Sequence, residues 1–166
     1  MNPINRWSAL ALALSTSLFA ALPAAAVDAG TQAPEFQLNG SRSAVNLGAM
    51  KGKVVYLDFW ASWCGPCKQS FPWMNEMQAK YGAKGLQIVG INLDSKRADA
   101  DKFLAEVPAS FVVAFDAQGD TPKRYGVKGM PTSVLIGADG KVIQMHAGFR
   151  EDERKALEDA IVAALK

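Results

Sequence analysis

Val54-Val55-Tyr56-Leu57-Asp58-Phe59-Trp60-Ala61-Ser62-Trp63-Cys64-Gly65-Pro66-Cys67-Lys68 is the stretch on which the fold turns. Val54 to Phe59 is a dense apolar and aromatic run, which reads as a strand covered on both faces, as in a parallel sheet. A helix is predicted from Cys64 to about Tyr81, with Phe71, Met74, Met77 and Tyr81 at helical spacing. Pro66 falls in its first turn, where a missing N–H does no harm. Pro72 lies inside it and predicts a kink near Lys68, four residues back. Gly82 is a stop signal.

A strand feeding a helix at this point puts Cys64 at the helix N-terminus. The unpaired N–H groups and the dipole there favour a thiolate, the nucleophilic form of cysteine in disulfide exchange. Cys67 is one turn on, close enough to close a disulfide with Cys64. C-x-x-C near alternating strands and helices is a redox signature. Other readings of the pair are weaker. A zinc site needs about four ligands, and the chain offers two Cys and one distant His. Attachment of c-type haem needs C-x-x-C-H, and position 68 is Lys. A purely structural short-range disulfide would not need this strand-to-helix setting. We expect no metal and no cofactor.

At 166 residues and a formal net charge of +2, the chain fits one domain. Its basic residues are scattered among acids, so nucleic acid and acidic polymers are not expected partners. Residues 1–26 read as a secretory signal peptide. Arg6 is its one positive charge, Trp7 to Leu22 is uncharged, and Ala24-Ala25-Ala26 is a small-x-small cleavage site. The alternative is an uncleaved anchor, since Trp7 to Val27 is 21 residues, just long enough to span a bilayer. Either way residues 27–166 form the working domain outside the cytoplasm, in a compartment where disulfides persist. Periplasmic location and a monomer are the expectations.

Along the rest of the chain, Phe36-Leu38 and Val45-Leu47 across Asn39-Gly40 predict a hairpin at the sheet edge. Leu86 to Leu93 is a second buried strand. Ser95 is a candidate cap for a helix over 96–106, which Pro108 ends. Phe111 to Phe115 is a short strand and 119–126 a short helix or turn. Thr132 to Ile136 and Lys141 to His146 are strands joined at Asp139-Gly140, a strong hairpin signal. Residues 150–165 form the last helix, with Leu157, Ile161 and Leu165 on one face. The order predicts an α/β fold: a mixed sheet with helices on both faces.

The segment Asp58 to Lys68 resembles the thioredoxin active site. Pro72 resembles the kink proline of the thioredoxin active-site helix, and Met130-Pro131-Thr132 resembles the loop bearing that family's cis-proline. The signal segment, the hairpin beginning Ala33-Pro34-Glu35-Phe36 and the extra central αβ segment around 93–112 are similar to the exported TlpA/ResA-like subgroup, which relates to AhpC/TSA-type peroxiredoxins. The resemblance implies a thioredoxin fold with Cys64 attacking and Cys67, buried, resolving. It implies a cis Pro131 whose loop, with Met130 and Thr132, binds an extended substrate segment as an added strand. Trp63, Gly65 and Pro66 would line the substrate surface, and Trp60 would flank it or simply pack.

Asp58 interrupts an apolar strand, and a carboxylate buried there has a raised pKa through desolvation. By resemblance it handles the proton of Cys67; a strand-edge acid facing solvent is the alternative. The buried lysine that partners this acid in thioredoxins would fall near Gly90, and none is there. Asp94 resembles an acid near the site in TlpA/ResA-like proteins, with a cap or loop role equally open. His146, the sole histidine, reads as a surface or packing residue.

The function implied is reduction of disulfides in exported proteins, such as apocytochromes c or copper-site proteins, recharged by a membrane electron donor of the DsbD/CcdA type. A thiol peroxidase is the second reading, weakened because Ser62-Trp63 precedes Cys64 where a peroxiredoxin has Pro/Thr-x-x-Cys. A Cu(I)-binding chaperone is the third, weakened by the lack of a Met/His cluster.

Overall fold

The computed structural model describes residues 27–166; the signal-peptide or anchor reading of 1–26 lies outside the described residues. A seven-stranded mixed sheet carries the molecule. Its strands are β1 (Gln37–Gly40), β2 (Ala44–Asn46), β3 (Val54–Trp60), β4 (Leu86–Asn92), β5 (Val112–Phe115), β6 (Thr132–Ile136) and β7 (Val142–Ala147). Their spatial order is β2-β1-β5-β4-β3-β6-β7. The β3–β4 and β4–β5 pairs are parallel, while β6 and β7 add antiparallel strands beside β3. β3 therefore lies inside the sheet, and all seven of its residues are buried. Continuous apolar sequence is what such a position requires.

Among the described residues four α-helices pack on the sheet: α1 (Gly65–Tyr81), α2 (Arg97–Glu106), α3 (Asp120–Tyr125) and α4 (Arg154–Ala164). Alternation along β3 divides the core in two. Val54, Tyr56 and Trp60 join Phe71, Met74 and Met77 of α1, Phe103 of α2 and Leu157 and Ile161 of α4. Val55, Leu57 and Phe59 face the other way, toward Tyr125 of α3 and the N-terminal Ala33 and Phe36. Helices thus cover both faces.

Several sequence expectations shift. The N-terminal hairpin turns at Ser41–Ser43, not at Asn39-Gly40, and Gly40 belongs to β1. Ser95 does not cap α2: Lys96 is the N-cap, with no side-chain bond. The final helix begins as a 3₁₀ turn, Glu151–Glu153, before α4. Gly140 does turn the β6–β7 hairpin with φ +80°, a left-handed value that costs glycine nothing. α1 runs on through Pro72.

Candidate active site

The chain leaves β3 at Trp60 and enters α1 at Gly65, so Ala61–Cys64 forms the link. Cys64 is the N-cap, with φ −85° and ψ 103°, and its sulfur accepts the Cys67 N–H at 3.2 Å. That is an otherwise unpaired amide of the helix's first turn, and it aims partial positive charge at the sulfur. Pro66 sits in the first turn, where its lack of an N–H leaves no bond unmade. Cys64 and Cys67 are joined by a disulfide with Cα atoms 5.3 Å apart. Cys67 is fully buried, Cys64 is 5% exposed, and Trp63 beside it is 73% exposed.

Asp94 ties this link to the end of β4. Its carboxylate accepts the Ser62 N–H at 2.9 Å, the Ser62 hydroxyl at 2.9 Å and the Asn92 amide at 2.7 Å. The Asp94 N–H in turn donates to Asn92 Oδ1. Asp94 therefore does not cap α2; from the loop between β4 and α2 it fixes the backbone two residues before Cys64. Neither Ser62 nor Asn92 carries a sequence signal that would have paired it with Asp94.

Asp58 is buried and points to the same face of β3 as Tyr56 and Trp60, the face that carries α1 and Cys67. It does not face solvent. Its Oδ2 has no hydrogen-bond partner. Loss of solvation raises its pKa well above the ordinary carboxylate value. The Tyr56 hydroxyl is pushed up as well, by burial and by the nearby Asp58 charge, with Ser133 as a compensating partner.

The absence of a lysine at position 90 has a steric cause. Gly90 is the β4 neighbour of Asp58. A Cβ there would stand 3.0 Å from Phe111 Cε2 and 3.1 Å from Trp60 Nε1. Trp60 fills that space, stacked edge-on against Phe71 at 4.9 Å and tilted against Phe103 at 4.9 Å. It is fully buried and does not flank the active-site surface.

The Met130–Pro131 peptide is cis. Pro131 immediately precedes β6, which Thr132 opens, with Gly148 N–H donating to the Pro131 carbonyl at 2.8 Å and the Thr132 hydroxyl to the Gly129 carbonyl at 2.7 Å. Met130 packs against the cluster that contains Cys64 and Cys67. Two grooves result. One, of about 350 Å³, runs from Trp63, Cys64 and Lys68 to Phe103 and Glu106 of α2. The other, of about 420 Å³ and largely apolar, is lined by Val127, Met130, Pro131 and Met145. No helix among the described residues is long and apolar enough to cross a membrane.

A reversible dithiol at the N-terminus of a helix, on a thioredoxin-type sheet, defines a thiol–disulfide oxidoreductase. Comparison with known proteins agrees. The Redoxin family profile matches residues 28–161, and the chain belongs to that family. It is 39% identical over 136 residues to the thiol-disulfide oxidoreductase ResA of Bacillus thuringiensis subsp. konkukian, covering 80% of this chain and 76% of that protein. ResA of Bacillus subtilis is 34% identical over 125 residues, 74% of this chain and 69% of its own length. Among solved structures, a thiol:disulfide interchange protein DsbE from Chlorobium tepidum superposes with a TM-score of 0.84 at 62% identity, over 85% of this chain and all of that one. The protein is thus a TlpA/ResA-like enzyme that exchanges disulfides with disulfide-bearing substrates.

Proposed function

We propose that the protein is an exported reductase in which Cys64 attacks and Cys67 resolves. The Cys64 thiolate attacks one sulfur of a partner's disulfide, forming a mixed disulfide and releasing the partner's other sulfur. Cys67 loses its proton and attacks Cys64 Sγ. The Cys64–Cys67 bond forms, the Cys64–partner bond breaks, and the partner leaves with two electrons, its two sulfurs taking their protons from solvent. Asp58 takes the Cys67 proton, which fits a buried acid with an unpaired oxygen on the face that carries α1.

The observation that carries the assignment of roles is the hydrogen bond from Cys67 N–H to Cys64 Sγ, with Cys67 wholly covered. Trp63, Gly65 and Pro66 form the outer rim, and the Met130-Pro131-Thr132 loop receives an extended segment of the partner as an added strand. The Gly-Pro pair between the cysteines resembles reducing thioredoxins, so the expected reduction potential is near about −270 mV rather than about −120 mV. In an oxidising compartment, such as the periplasm reached by way of the 1–26 segment, the dithiol needs recharging by a membrane donor of the DsbD/CcdA type. The substrates are exported proteins such as apocytochromes c or copper-site proteins, met by a monomer.

Trapping tests this. Cys67→Ser leaves stable mixed disulfides through Cys64, and mass spectrometry identifies the captured proteins. Capture of the same set by Cys64→Ser instead would reverse the two roles.

A further inference from the structure

Asp58 does not stand alone on its face of the sheet. In register across β3, β6 and β7 lie Asp58, Ser133 and His146. Directly opposed antiparallel residues have Cα atoms about 4.5–5.5 Å apart and side chains on one face. The row cuts through an otherwise apolar surface: one residue-pair along, the matching positions are Tyr56 and Leu135, both in the core. Asp58 and Ser133 are buried, whereas the His146 side chain is 27% exposed and its Nε2 lies 3.3 Å from Glu153 Oε2. A buried acid, a buried hydroxyl and a partly exposed imidazole therefore lead in sequence from the middle of the sheet to its β7 edge.

We propose that the row Asp58–Ser133–His146 carries the Cys67 proton between the buried acid and solvent at the β7 edge, with Glu153 holding the protonated imidazole. The inference rests on Asp58 being the proton acceptor for Cys67. Cys67 is fully covered even without a partner, and a polypeptide docked on Cys64 closes the mouth above it. The proton that Asp58 accepts then needs a second way out. A hydroxyl both accepts and donates, so Ser133 takes the Asp58 proton and passes its own to the imidazole. The imidazole, with one nitrogen to take a proton and another to give one, releases it at the edge, where the His146 side chain is partly exposed. One proton enters the row from Cys67 and one leaves it to solvent, with no change in its redox state. Recharging runs the same path inward.

The surroundings leave few competitors. β3 adds the Tyr56 hydroxyl, which stays protonated and is the hydrogen-bond partner of Ser133, so the Ser133 hydroxyl must turn from Tyr56 to carry the proton from Asp58 to His146. α1 adds Cys67 itself and Ser70, whose hydroxyl is committed to the Cys67 carbonyl at 3.0 Å. β4 presents only Gly90 beside Asp58. Next to Glu153, Arg154 is held by Glu151 at 2.8 Å and Glu76 at 3.5 Å.

The test is single-turnover oxidation of the reduced protein by saturating insulin, followed by tryptophan fluorescence from about pH 5 to 9. Ser133→Ala is expected to slow the step roughly tenfold or more, with Cys64 alkylation unchanged, and Ser133→Thr to restore it. His146→Gln is expected to slow it near neutral pH and to be restored by added imidazole. Should Ser133→Ala fail to fold, His146→Gln carries the test alone, since its side chain is partly exposed. Asp58→Asn separates the two claims. If it is slow while Ser133→Ala and His146→Gln match the wild type in rate and pH profile, the row is overturned and the Asp58 role stands. If Asp58→Asn itself matches the wild type, both fall.

Discussion

At the residue scale, two carboxylates do opposite work around one dithiol. Asp94 is held by three donors and anchors the link that delivers Cys64. Asp94→Ala leaves the Ser62 N–H and hydroxyl without that acceptor, and urea unfolding should show a loss of about 1–3 kcal/mol. Cys64 alkylation should become slower in the same variant. Asp58 has an oxygen without a hydrogen-bond partner, and its burial is costly. Its pKa is raised in the folded state, so the native protein keeps a proton that the unfolded chain has already released. The stability this group contributes is complete below the ordinary aspartate range and is lost as pH rises through the raised value. Asp58→Asn should therefore unfold like the wild type in acid but be more stable at neutral pH, by about 2 kcal/mol in urea titrations. A variant less stable than the wild type at neutral pH would show that the carboxylate is satisfied where the structure leaves it unpaired. Asp58 was legible in the sequence because an acid interrupting an apolar run has to be explained. Ser133 sends the same signal more faintly, since a buried serine costs little when it finds a partner. Its meaning needs the register that sets it between Asp58 and His146, which no local pattern contains.

At the element scale, the sequence reads well wherever local chemistry decides. The β3-to-α1 passage, Pro66 in the first turn and the Gly140 hairpin all follow from backbone preferences. The Ser95 cap fails because Asp94, one residue earlier, is drawn to Ser62 and the helix starts later. The first hairpin turns later than Asn39-Gly40 suggests because Gly40 pairs with Ala114 of β5, a long-range contact. Gly90 is the sharpest case. Sequence shows only that a lysine is missing; packing shows that Trp60, Phe111 and β4 meet there. Gly90→Ala should push Trp60 or Phe111 from its place and cost about 1–3 kcal/mol, read by chemical denaturation with loss of the tryptophan signal. A neutral result would mean that the aromatic cluster of Trp60, Phe71, Phe103 and Phe111 yields more easily than interior packing normally does.

At the scale of the whole molecule, the sheet holds β3 and β4 at its centre and ends β3 just before α1 begins, so a fully buried interior strand aims the reactive sulfur. The α2 segment builds one wall of the groove beside Trp63, and the β6 loop lines the other groove. The account stands on the helix N-terminus making Cys64, and not Cys67, the nucleophile. The direct measurement is the pH dependence of iodoacetamide alkylation of each cysteine in the reduced protein, resolved by mass spectrometry. Near neutral pH Cys64 is expected to react at least about tenfold faster than Cys67 and faster than an unperturbed cysteine, as a sulfur facing the first-turn amides of α1 should. Equal rates for the two cysteines, or a Cys64 no faster than a free thiol, would contradict it.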